Sequence, residues 1–238
     1  MAVEDRGLAD VPPPLAWERT AAAAEDEGFD AATAAVFAAV VAVDLFCVAE
    51  SNAPAGARAL DPLVAAADLA ERALDETGGG EEEFTHLFAP RLPFDVLVTD
   101  RTTAADLFLA RWGADLPKEA VRAVKALVRA GDTVARATWA GKAVTIEDLA
   151  TGLALPGPAL FRRGTRPFVC RLVKLGGQHV PVAVERVEGR VTPERLLGEV
   201  KVACGIAREV LKAGGLRLKS LRKGFGLGAR LLAVPEGE

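Results

Sequence analysis

The clearest patterning lies between Thr133 and Val187, where apolar and polar positions alternate with the period of two that marks strands. Thr133–Trp139 and Lys142–Glu147 flank Ala140-Gly141 and predict a hairpin with a two-residue turn. That turn sets Trp139 opposite Lys142, Ala137 opposite Val144 and Ala135 opposite Ile146, leaving Arg136, Thr138 and Thr145 on the other face. A second hairpin turns at Gly176-Gly177, a pair that accepts positive φ. Val173 then faces Val180, Arg171 faces Val182 and Val169 faces Val184, while Phe168, Cys170, Leu172, Pro181 and Ala183 share the opposite face. Both faces are largely apolar and need cover. Pro181 lacks a backbone donor and marks an edge strand, and a short strand at Leu153–Leu155 links the hairpins.

On either side the period changes to that of helices. Helices are expected from Trp17 to Gly28, over Ala31–Glu50 with Asp30 as its cap, and from Asp61-Pro62 to about Thr77. Glu81-Glu82-Glu83 can open a short helix, since acids suit a helix N-terminus. Phe94–Val98 reads as a strand. Thr103 with Asp106 forms a capping-box pattern ahead of a helix to Trp112, and Pro117 opens another over Lys118–Ala130. Thr192-Pro193 precedes a further helical run, closed by Gly214-Gly215 and followed by a basic tail.

The resulting expectation is an α+β fold: a helical N-terminal part, then a small antiparallel β-barrel or sheet module flanked by helices. Residues 1–14 are read as a flexible arm and 15–90 as an acidic helical region. Residues 91–238 are read as an α+β region holding the hairpin module (133–187) and a basic C-terminal helix and tail.

Composition alters this picture in two ways. Ala31–Ala49 is apolar enough to suggest a membrane span, but it contains Asp44 and is flanked by acids, so a buried core helix is expected. Cys47, Cys170 and Cys204 are isolated among apolar residues and no leader pattern is seen, which predicts a reducing, cytoplasmic location.

Charge is sharply divided. Residues 1–100 hold 20 acids and 5 bases, a net of −15, whereas residues 101–238 carry a net of +11. Lys118, Arg122, Lys125 and Arg129 recur at spacings of four, three and four, which puts them on one stripe of a helix. Lys219, Arg222 and Lys223 concentrate charge in the tail. Such cations can neutralise phosphates, so nucleic acid, DNA or RNA, is the preferred ligand, contacted through phosphates without base reading. A protein-interaction or homo-oligomeric assembly module, in which the acidic half of one subunit meets the basic half of another, is the first alternative. A carboxylate–metal enzyme using Glu25, Asp26, Glu27, Asp30, Asp44, Asp68, Glu71 and Asp75 is the second.

Other chemistries lack their parts. His86 and His179 are the only histidines, Ser51 and Ser220 the only serines, and neither serine lies in a nucleophile elbow. No ligand set has zinc spacing, and His179, placed beside Lys174, reads as a strand-end surface residue. Gly224-Phe225-Gly226-Leu227-Gly228 is not a dinucleotide fingerprint. No catalytic residue, cofactor or metal site is therefore assigned.

One order of motifs resembles a known family. Pro93-Phe94-Asp95, then Asp106-Leu107-Phe108-Leu109-Ala110, an amphipathic helix, and Val144-Thr145-Ile146-Glu147-Asp148-Leu149-Ala150-Thr151-Gly152 are similar to the core of uncharacterised bacterial proteins that often bear a SEC-C motif. The likeness spans about residues 93–185 and implies a small β module beside helices. The Cys/His cluster of that motif is absent here, so no metal site is implied.

Overall fold

The computed structural model describes residues 11–51, 60–76, 90–159, 167–186, 192 and 194–198. Helices α1 (Pro13–Asp26), α2 (Ala31–Ser51) and α3 (Asp61–Glu76) come first, followed by the single turn α4 (Leu92–Asp95), α5 (Ala104–Trp112) and α6 (Lys118–Arg129). Strands β1 (Gly131–Ala140), β2 (Ala143–Asp148), β3 (Leu153–Gly157), β4 (Phe168–Leu175) and β5 (Gln178–Arg186) form one antiparallel sheet in the order β3-β2-β1-β4-β5. Residues 194–198 are helical beyond it. The class is α+β, as the alternation predicts.

The local signals fix most boundaries. Asp30 Oδ1 accepts from the amides of Ala32 and Thr33 at 3.1 and 3.0 Å, capping α2. Thr103 and Asp106 complete a reciprocal capping box at the start of α5. Thr192 Oγ1 accepts from the amide of Arg195 at 3.3 Å, so the helical run after Thr192 begins as expected.

Three expectations are corrected. The helix read as starting at Trp17 starts at Pro13, which is buried, so residues 13 and 14 belong to α1 and not to an arm. Pro93 sits in the first turn of α4, where its fixed φ suits a helix, and the strand read over Phe94–Val98 is reduced to a bridge of Leu97 with Thr103. The first hairpin turns one residue later than read, pairing Trp139 with Val144, Ala137 with Ile146 and Ala135 with Asp148. Gly141, at φ +64°, takes the first central position of that turn, where glycine carries no Cβ penalty. The slip is two residues in register, so every side chain keeps its face.

The second hairpin follows its predicted register through Val173–Val180 and Arg171–Val182, then shifts by one at a bulge that pairs Val169 with Glu185. Ala183 within it has φ +51°. β5 is an edge strand, which accommodates Pro181.

The sheet divides the core. Val173, Val180 and Val182 pack outward with the helices, in a cluster that runs from Trp17, Val43 and Phe46 through Phe108 to Leu127. Ala135, Ala137, Val144, Ile146, Phe168 and Cys170 form a separate cluster on the opposite face. The sheet curls around this second cluster until β3 lies against β5, without pairing to it, so the module is not a closed barrel. Gly157 sits at that approach: a Cβ there would stand 2.4 Å from Ile146 Cδ1 and 2.9 Å from the His179 carbonyl oxygen.

α2 is apolar and long enough to cross a membrane by length and composition. In this fold its apolar residues, Val36, Val43 and Phe46 among them, are packed against α1, α5 and α6. The acidic and basic halves thus share one core.

Candidate functional site

The cationic stripe is carried by α6, whose sequence separates its two faces. Ala120, Ala123, Val124, Leu127 and Val128 are buried. Lys118, Arg122, Lys125 and Arg129 are all exposed, on the side turned away from that core. None of the four makes an ion pair with a carboxylate among the described residues. One described ion pair joins the acidic helices to the basic half, Arg111 with Glu50, and it does not involve the stripe.

Beside the stripe lies a groove of about 760 Å³ between α6 and one end of the curled sheet. Arg122, Lys125 and Arg129 line its helical wall, and Lys174 and His179 line it from β4 and β5. Lys118, one turn earlier, does not reach it. Leu153, Leu172 and Leu175 supply apolar surface. Cations therefore enter from two elements remote in sequence, and only the first was visible as a pattern.

The carboxylates near the groove are internally engaged. Asp148 Oδ1 accepts from Thr133 Oγ1 at 2.6 Å and from the amide of Ala150 at 3.1 Å. Its Oδ2 accepts from Thr151 Oγ1 at 2.7 Å, so Asp148 ties the β2–β3 turn to β1. Asp132 is sealed from solvent: its Oδ1 accepts from Arg91 Nε at 2.9 Å, while Oδ2 has no partner. Burial holds its carboxyl above the usual aspartate range, against the opposing pull of Arg91 and Arg171.

A buried ion pair fixes the end of α6 to the sheet. Arg171 donates to both oxygens of Asp95, at 2.6 and 3.0 Å, with both side chains almost wholly buried. It also donates to the carbonyls of Leu127 and Ala130, the last turn of α6, where positive charge complements the helix. Burial disfavours the guanidinium charge, but Asp95 and Asp132 outweigh it and hold Arg171 above its ordinary value. This network ties the C-terminal end of the stripe's helix to β4 and α4.

His179 corrects the surface reading. It is 3% exposed, and its Nδ1 lies 2.8 Å from the carbonyl oxygen of Ile146 on β2. A carbonyl can only accept, so Nδ1 carries the hydrogen and donates. The curl of the sheet brings these strands together, and nothing in the local sequence signals it.

No family model, curated protein or solved structure matches this chain.

The tail residues Lys219, Arg222 and Lys223 lie outside the described residues, as do His86 and Glu81-Glu82-Glu83. Among the described residues no group of three metal-ligating side chains gathers, and Asp30 is occupied as a helix cap.

Proposed function

We propose that the protein binds nucleic acid through phosphate contacts along α6 and the groove beside it. The observation that carries this reading is the stripe of exposed cations with no internal carboxylate partner among the described residues, three of which line a groove closed on its far side by Lys174. Cations with no neutralising neighbour lose little on meeting a polyanion and release its condensed counterions. The two carboxylates of the lining, Asp132 and Asp148, are engaged internally, which leaves the cations as the charged groups free to meet a phosphate backbone. Free, buried Cys47 and Cys170 fit a reducing, cytoplasmic setting for such a protein.

The test is fluorescence anisotropy of labelled RNA and DNA oligonucleotides at about 50 mM salt. Binding that weakens steeply as salt is raised is the expected result. Absence of binding to either polymer at low salt overturns the proposal. Light scattering without nucleic acid separates it from a salt-sensitive self-assembly.

A further inference from the structure

His179 is a buried imidazole with one nitrogen committed. Nδ1 donates to the Ile146 carbonyl, so in the neutral ring Nε2 carries a lone pair and can only accept. Nε2 makes no hydrogen bond among the described residues. The residue lines the same groove as Arg122, Lys125, Arg129 and Lys174. An acceptor there does not complement a phosphate oxygen, which is itself an acceptor. It complements a hydroxyl or N–H that accompanies the phosphate.

Resting on the nucleic-acid reading above, we infer that His179 Nε2 accepts a hydrogen bond from a ribose 2′-hydroxyl, making the groove selective for RNA over DNA. The 2′-hydroxyl is the donor that recurs at every nucleotide, close to the phosphate and independent of base identity. It suits a site built of phosphate contacts. Deoxyribose offers no donor at that position, so DNA would leave a polar atom in the groove unpaired.

The experiment compares oligouridylate, oligodeoxyuridylate and 2′-O-methyl oligouridylate of equal length, by anisotropy at about pH 8. Wild-type protein is expected to bind the ribo form about fivefold or more tightly than the other two, the factor that one ordinary hydrogen bond supplies. His179→Asn keeps a donor where Nδ1 stands and removes Nε2. Its thermal transition reports whether the fold persists, and its preference for RNA is expected to vanish.

Equal, salt-sensitive binding of all three oligomers by the wild type overturns the RNA inference and leaves the phosphate reading standing. A folded His179→Asn variant that keeps the preference overturns the assignment to His179. Failure of every oligomer to bind overturns the phosphate reading itself. The wild-type comparison decides the polymer preference even if the variant does not fold.

Discussion

Arg171 and Asp95 are 76 residues apart in sequence and meet in a two-pronged ion pair with N–O distances of 2.6 and 3.0 Å. The same guanidinium holds the carbonyls at the end of α6, so the pair links α4, the sheet and the basic helix in one buried contact. Asp95→Ala leaves the guanidinium charge buried without its carboxylate. The expected loss is about 3–5 kcal/mol, the usual consequence of orphaning a buried charge. Urea denaturation followed by circular dichroism measures it, and a change under about 1 kcal/mol would show that the pair does not hold the fold.

Asp132 gives a pH signature. Its folded-state value is raised by burial, so the folded protein binds that proton more tightly than the unfolded chain. The stability it contributes is present below the ordinary aspartate value of 3.8 and is lost as pH rises through the raised folded value. Asp132→Asn removes that dependence. The stability of the wild type relative to the variant should therefore decline as pH rises from about 4 towards neutrality. Denaturation curves at a series of pH values test this, and a difference that grows with pH contradicts it.

Cys47 and Cys170 should be chemically silent in the folded protein. Burial pushes both thiols far above their usual range, assisted by Asp44 and Glu50 at Cys47 and by Asp132 at Cys170. In a Cys204→Ser background, a thiol reagent should label neither until denaturant is added. Rapid native labelling would show that one of them opens to solvent.

Much of the fold was legible because its signals are local. The cap at Asp30, the box at Thr103 and Asp106, the Gly176-Gly177 turn and the edge role of Pro181 each depend on a few consecutive residues. The first hairpin turns one position later than the alternation suggests, because Ala140-Gly141 and Gly141-Lys142 both offer a glycine. Only the backbone shows that Gly141 takes the leading place. The stripe on α6 was legible because four charges at helical spacing need no partner to be recognised.

The far wall of the groove was not legible. Lys174 and His179 line the groove from β4 and β5, and the placing of those strands beside α6 and β2 rests on long-range contacts, such as those around Gly157 and Ile146, that no short window contains. The Arg91–Asp132 and Arg171–Asp95 pairs were hidden for the same reason. Arg171 lies on a strand face that the pattern marks as covered, and Asp132 is its cross-strand neighbour, but their partners Asp95 and Arg91 stand 76 and 41 residues away.

The most direct test of the account is the salt dependence of RNA binding by the wild type and by Arg122→Glu/Lys125→Glu. Both positions are exposed, so reversal should leave the thermal transition nearly unchanged. For the wild type, the logarithm of the binding constant should fall linearly with the logarithm of salt concentration. In the variant, affinity at low salt should drop at least tenfold and the slope should shrink by about 1.4, the share of two phosphate contacts on a single strand. Equal affinity and equal slope in the two proteins would contradict the claim that α6 faces a polyanion.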